Sequence, residues 1–143
     1  MAKADYRFFF PFRIRYAETD AQGIVFFGNY LIFFDTAIYE YFRTLPFDFK
    51  DHVEKTGADF HTVHVSVDFK APAKFDDRIE AGVRTRRIGR TSLTFDVEIF
   101  SCETSASLVK GELVWVNTDQ STHRSAPVPE ELIRKIRERE KQL

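Results

Sequence analysis

The sequence predicts an α+β fold in which an antiparallel sheet curls around one long central helix and a short helix closes the chain. Three observations carry this expectation. Apolar and polar residues alternate with the period of a half-buried strand in four separate stretches, and a fifth is apolar on both faces, as a central strand is. The segment opened by Gly28-Asn29 has apolar residues around most of its circumference, so that helix has to be wrapped rather than laid on a surface. The order of one strand, one helix and then four strands in hairpin-like succession segregates the helix to one face of the sheet.

Phe12, Ile14 and Tyr16 alternate with Arg13 and Arg15 and form the first strand, which delivers the chain to Asp20. The turn Asp20-Ala21-Gln22-Gly23 and the apolar run Ile24-Val25-Phe26-Phe27 then lead to Gly28-Asn29, where the helix opens. It runs to about Leu45, because Pro46 cannot be accommodated in a continuing helix. Phe47 to Thr56 reads as a loop with one further short helical turn, ended by Gly57. In the next strand Val63, Val65, Val67 and Phe69 take one face and Thr62, His64, Ser66 and Asp68 the other, until Ala71-Pro72-Ala73. Ile79, Ala81, Val83 and Thr85 alternate with Glu80, Gly82, Arg84 and Arg86, and a turn at Ile88-Gly89-Arg90 leads to Leu93, Phe95, Val97 and Ile99. These two strands form a hairpin. Leu108 to Val116, apolar on both faces, reads as a central strand and not an edge one. Pro129, Glu130 and Glu131 start the C-terminal helix, with proline at an acceptable first position and acids at the positive end of the dipole.

Residues 1-143 are expected to form one domain, long enough to bury a core and with little room for a second. Sixteen phenylalanines in a chain of ordinary 43% apolar content point to a thick aromatic core, an aromatic ligand pocket, or both. A net charge of -1 argues against a generic nucleic-acid binder, which carries a strong basic excess. The single cysteine, Cys102, rules out an internal disulfide framework and a multi-cysteine zinc site, and it fits a reducing compartment. Phe8-Phe9-Phe10 is too short for a leader, Pro11 interrupts it and Arg13 and Arg15 follow; no stretch reaches the length of a membrane span. The expectation is a cytoplasmic protein without a membrane segment.

Two acidic groups stand in unusual places. Asp20 lies just ahead of the helix start, where unsatisfied N–H groups and the positive dipole end suit developing negative charge. Placed there it can act as a base or a nucleophile, or it is simply a turn residue capping the local backbone. Within the helix, Thr36, Glu40, Arg43 and Thr44 share a polar stripe, but Asp35 has Leu31, Ile32, Ile38 and Tyr39 as helical neighbours. Asp35 is therefore expected on the buried side, where a charge without a role or partner is costly. It either orients substrate or the attacking water, or it is a buried carboxylate with structural hydrogen bonds. Phe26, Phe27, Phe33 and Phe34 either line an aryl pocket or take the commoner place of such a stripe in the core.

Asp20-Ala21-Gln22-Gly23-Ile24-Val25-Phe26-Phe27-Gly28-Asn29-Tyr30, with Asp35 five residues further on, resembles the signature of hotdog-fold acyl-CoA thioesterases of the 4-hydroxybenzoyl-CoA thioesterase type. The stretches Phe69 to Asp77 and Arg87 to Leu93 resemble two later blocks of that family, so the similarity spans nearly the whole chain. The resemblance implies a hotdog fold and hydrolysis of an acyl-CoA, aryl-CoA esters included, to free acid and coenzyme A. It implies Asp20 as the catalytic carboxylate, the backbone N–H of Phe27 as the group that polarises the thioester carbonyl, and Asp35 as a further catalytic candidate. Gly23, Phe26, Gly28 and Asn29 then belong to the substrate-binding surroundings. Many relatives active on aliphatic acyl groups carry a histidine where this chain has Phe27, and the 4-hydroxybenzoyl enzyme a tyrosine. Phenylalanine keeps only the backbone N–H, which argues against 4-hydroxybenzoyl itself and for aromatic or otherwise flat acyl groups over long aliphatic ones.

Coenzyme A brings a 3′-phosphate and a pyrophosphate, for which arginine is well shaped. Among Arg84, Arg86, Arg87 and Arg90, otherwise ordinary solvated charge, Arg90 with Thr91 at the hairpin turn is the expected phosphate contact. No cofactor is expected beyond the coenzyme A of the substrate. His61 and His64, three apart in a strand, should face opposite sides, and His52 and His123 are isolated, so no metal site is expected. A sheet wrapped on one helix leaves an open edge, which in relatives joins a second subunit, with each active site built from both chains. A homodimer or homotetramer is therefore expected. The competing function is a hotdog protein that binds acyl groups or coenzyme A without chemistry, as a scaffold or ligand sensor, because fold alone does not separate the two.

Overall fold

Helix α1 (Asn29–Thr44) buries Tyr30, Phe33, Phe34, Ala37, Ile38, Tyr41 and Phe42, the residues at helical spacing that face the sheet. In the computed structural model, which describes residues 3–141 and 143, α1 is followed by α2 (Phe49–Thr56) and preceded by strand β1 (Phe9–Arg13). Strands β2 (Ala58–Phe69), β3 (Arg78–Ile88), β4 (Ser92–Ser101) and β5 (Ser107–Asp119) follow, and α3 (Glu130–Arg139) ends the chain. All five strands belong to one antiparallel sheet in the order β1-β3-β4-β5-β2, curled around α1 as expected.

The core lies between α1 and the inward residues Ile79, Ala81 and Val83 of β3, Leu93, Phe95, Val97 and Ile99 of β4, and Val109, Leu113 and Trp115 of β5. Its aromatic centre is Phe42, stacked on Trp115 at 5.8 Å and meeting Phe95 edge-on at 5.6 Å. Truncating so enclosed a ring costs about 3–5 kcal/mol. Gly111 is required by the approach of the helix, since a Cβ there would lie 2.5 Å from Cε2 of Phe34. On the outer face, Arg84 and Arg86 pair with buried Asp96 at 3.3 and 3.2 Å, the ordinary structural use of those arginines.

Several expectations need correction. The first strand spans Phe9–Arg13 and does not reach Tyr16, which is 77% exposed and begins a single 3-10 turn, Tyr16–Glu18. Glu18 closes that turn by accepting the N–H of Arg15 at 2.7 Å and its guanidinium at 2.9 Å, which takes the chain off the sheet. The expected loop after Pro46 contains two full turns of helix, because Asp48 accepts the N–H of Asp51 at 3.1 Å and caps α2. A bulge between Thr62 and His64 breaks the strict alternation of β2. Thr62 and Val65 pair with Trp115 and Leu113 and so share the inner face. His61 and His64 pair with Val116 and Val114 and share the outer one, not opposite faces. His61 there meets the side chain of Gln120 at 3.0 Å, and among the described residues no cluster of metal-ligating side chains forms.

The buried side predicted for Asp35 is also wrong. Leu31, Ile32 and Asp35 are all exposed in the single chain, because α1 is wrapped over only part of its circumference. Apolar neighbours still desolvate the Asp35 carboxyl in part and hold it above the usual carboxylate range. β2 is an edge strand, and Val63, Val65 and Phe69 on it are exposed as well. No described helix is long and apolar enough to cross a membrane.

Candidate active site

The chain between Glu18 and Phe26 folds back on itself as a miniature hairpin. Thr19 bridges Val25, the N–H of Asp20 donates to the carbonyl of Ile24 at 2.9 Å, and the N–H of Gly23 donates to the carbonyl of Asp20 at 3.0 Å. Gly23 holds the turn with φ +78°, a left-handed conformation that costs glycine little. The Asp20 carboxylate is half-buried and accepts the N–H of Gln22 at 2.8 Å through Oδ1, while Oδ2 has no partner among the described residues. The capping reading of Asp20 is thus realised by one oxygen, and the other stays available for chemistry.

The hairpin is fixed on both sides. Val25 donates to the carbonyl of Ala73 at 2.9 Å and Ile24 bridges Lys74, so the second block of the family signature braces the first. Phe26 donates to the carbonyl of Glu18 at 3.0 Å and returns the chain to the point where α1 begins. At this helix start the N–H groups of Asn29, Tyr30 and Leu31 donate to the carbonyls of Phe26, Phe27 and Gly28, whereas those of Phe27 and Gly28 have no acceptor among the described residues. Two adjacent free amides at the positive end of a 16-residue helix form a site for an oxyanion.

Beside these amides, Phe27, Tyr30, Phe69, Lys70 and Pro72 line a cleft of about 340 Å³. Phe27 is 66% exposed, lies 4.8 Å from Phe26 and meets Phe69 edge-on at 6.4 Å. The four phenylalanines singled out in the sequence therefore divide. Phe33 and Phe34 are core, whereas Phe26 and Phe27 are exposed, and of the four only Phe27 lines the cleft. A larger cleft of about 520 Å³, lined by Tyr39, Arg43, Phe47 and Phe49, lies at the other end of α1, away from Asp20 and the free amides. The smaller one lies beside the free amides.

The structure brings together Asp20, Gly23, Phe26, Phe27, Gly28 and Asn29, but it separates them from two other groups within one chain. Asp35 stands eight residues beyond Phe27, about 12 Å along the helix axis. Arg90 and Thr91 sit past the end of β3 remote from Arg78, and Arg78 pairs with Arg13 near the Asp20 hairpin. That strand length corresponds to about 30 Å. Three groups at the hairpin and the cleft escaped sequence reading: the Glu18 carbonyl, the Gly28 amide, and Lys70, whose ammonium bonds Ser107 at 3.2 Å and faces buried Glu98 at 3.6 Å. The first two are backbone groups with no side-chain signal, and Lys70 was legible only as part of a family block.

Comparison with known proteins agrees with this geometry. Residues 22–106 match the family model described as the thioesterase superfamily. The acyl-CoA thioesterase YbgC of Haemophilus influenzae is 33% identical over 92 residues, which cover 64% of this chain and 68% of that protein. The acyl-CoA thioester hydrolase YbgC of Escherichia coli is 27% identical over 131 residues, 92% of this chain and 96% of its own. Among solved structures, the 1,4-dihydroxy-2-naphthoyl-CoA thioesterase of Synechocystis superposes with a TM-score of 0.84 at 22% identity, over 90% of this chain and 94% of that one, a likeness of fold. With more than half of its length in the family model and the hotdog architecture around the Asp20 hairpin, the chain belongs to the thioesterase superfamily and is a thioester hydrolase.

Proposed function

We propose that the protein hydrolyses acyl-CoA thioesters to the free acid and coenzyme A, with Asp20 as the reacting carboxylate. The observation that carries this reading is the free Oδ2 of Asp20 on a braced hairpin beside two unpaired amides at the start of α1. With the carbonyl oxygen on the Phe27 and Gly28 N–H groups, Asp20 either takes a proton from a water that attacks the carbonyl carbon, or attacks it directly and forms a mixed anhydride that water then opens. In both routes the negative charge collects on the oxygen held by the amides, and collapse expels the coenzyme A thiolate. The names of the YbgC relatives support a coenzyme A ester as the substrate.

The exposed rings of Phe26 and Phe27, with Phe69 and Tyr30 beside them, favour an aromatic or otherwise flat acyl group. Arg90 and Thr91 are too far from Asp20 to serve the same chain's site, so a phosphate role for them belongs to a homo-oligomer in which a second copy supplies the hairpin. The open β2 edge with exposed Val63, Val65 and Phe69 supports such an assembly, a dimer or tetramer, and Asp35 on the open face of α1 would likewise serve a neighbour's site.

The test is Asp20→Asn. Turnover of acyl-CoA should fall by at least about a thousandfold in a folded variant that still binds the substrate, because the change removes a group acting on the chemical step. A folded Asp20→Asn protein with near-normal kcat rejects the assignment. Label found on Asp20 after a single turnover in ¹⁸O-water identifies the anhydride route, because water oxygen enters the carboxyl group only when an anhydride is opened at the aspartyl carbon.

A further inference from the structure

We propose that Asn29 is a positioning residue that holds the Asp20 hairpin in register with the Phe27 and Gly28 amides, and is not a contact to substrate. The inference rests on the thioester-hydrolysis reading above and assigns this side chain a separate task within it.

The Glu18 carbonyl accepts two hydrogen bonds, one from the N–H of Phe26 at 3.0 Å and one from Nδ2 of Asn29 at 2.9 Å. A carbonyl can only accept, so the nitrogen of the Asn29 amide must face it, and the orientation of the side chain is settled. Asn29 also donates its own N–H to the carbonyl of Phe26 at 2.9 Å. One residue therefore grips both ends of the hairpin that carries Asp20. In sequence, Glu18 lies two residues ahead of Asp20 and Asn29 two residues beyond Phe27. The Asn29–Glu18 bond thus ties the segment ahead of the carboxylate to the first residue of α1.

Other supports act elsewhere. The Val25 and Ile24 contacts tie the hairpin to the segment around Ala73 and Lys74, not to the helix. Among the described residues, Asn29 supplies the only side-chain hydrogen bond from α1 into the hairpin. A residue chosen only to cap the helix could be serine, threonine or aspartate, which accept from backbone N–H groups. Here the bond runs the other way, and it needs a short side chain that donates. Geometry of this kind matters for rate, since a misplacement of about 1 Å can cost on the order of a hundredfold.

The experiment compares Asn29→Asp, nearly isosteric but unable to donate when ionised, with Asn29→Ser, which keeps a donor on a shorter arm. It reads kcat, KM and melting temperature with one acyl-CoA. For Asn29→Asp we expect kcat to fall about 10- to 100-fold, KM to stay within about threefold, and the melting temperature within about 3 °C; Asn29→Ser should lie between it and the wild type. If Asn29→Asp does not fold, Asn29→Ser carries the same split, a loss in kcat at constant KM. A kcat within about twofold of wild type in the folded variants overturns the inference. A KM that rises as far as kcat falls overturns it in favour of substrate contact, and a melting temperature that tracks kcat overturns it in favour of a purely structural bond. An inactive wild type would count against the thioesterase reading, whereas an active wild type with an unimpaired Asn29→Asp counts against this inference alone.

Discussion

Replacing Phe27 by leucine tests whether the aromatic mouth selects the acyl group. The substitution keeps the backbone N–H and much of the apolar bulk and removes only the ring. Because Phe27 is 66% exposed, the loss of buried area is small, and the stability change should stay within about 1 kcal/mol. The ring has two aromatic neighbours, Phe26 at 4.8 Å and Phe69 at 6.4 Å, and it lines the cleft beside the free amides. One aromatic contact with a bound aryl group is worth about 0.5–1.5 kcal/mol beyond area burial, which converts to about a two- to thirteenfold effect on kcat/KM. Benzoyl-CoA should lose that factor, while butyryl-CoA, without a ring, should change by less than about twofold. The assay is kcat/KM for benzoyl-, butyryl- and decanoyl-CoA on wild type and variant, followed by release of the free thiol. An unchanged benzoyl-to-butyryl ratio refutes the role of the ring, and a clear lead for decanoyl-CoA in the wild type refutes the aryl preference while leaving Asp20 in place.

Light scattering at assay concentration should give a dimer or tetramer, and an active monomer would contradict the proposal that a second chain completes the site. Arg90→Ala should raise KM for acyl-CoA more than it lowers kcat, because phosphates remote from the carbonyl are bound alike in ground and transition states; an acyl-pantetheine thioester losing as much would show that the residue reads no phosphate. Asp35 is an acid whose folded-state value is raised, so its carboxylate is disfavoured by folding. Its cost is absent below the unfolded value near 3.9 and grows as pH rises through the folded value. Asp35→Asn should therefore be more stable than wild type at pH 7 and lose that advantage toward pH 3. Urea midpoints showing the variant less stable at neutral pH would reverse the sign of the argument.

Much of the fold was legible because it rests on periods. Alternation marked β3 and β4, a two-sided apolar run marked β5, and Pro129 with two glutamates marked α3. Each of these signals is local and marks its element, although a bulge between Thr85 and Arg87 interrupts the alternation of β3 and Pro129 stands at the N-cap of α3, not at its first helical position. The misreadings concern features that a period cannot carry. A single extra residue at the β2 bulge moves Thr62 onto the face of Val65 and brings His61 and His64 to the same side. Tyr16 continues the strand alternation in sequence, yet Glu18 turns the chain out of the sheet before it is reached.

The site divides along the same line. Asp20 stood out because an acid ahead of a helix start is a pattern linear in the chain, and the resemblance added the Phe27 amide, whereas the Gly28 amide carried no signal. Asp35 was misplaced because a helical wheel reports which residues are neighbours and not which side the sheet occupies; its apolar neighbours Leu31 and Ile32 turned out to be exposed with it. Asn29 was placed in the binding surroundings through the family motif. Its amide points at a main-chain carbonyl eleven residues earlier, a partner with no side-chain identity of its own. Oxyanion chemistry relies on main-chain groups held in place. A sequence can therefore name the reacting acid of such an enzyme more readily than the bonds that aim it, and at this site the bond to Glu18 has to be found in space.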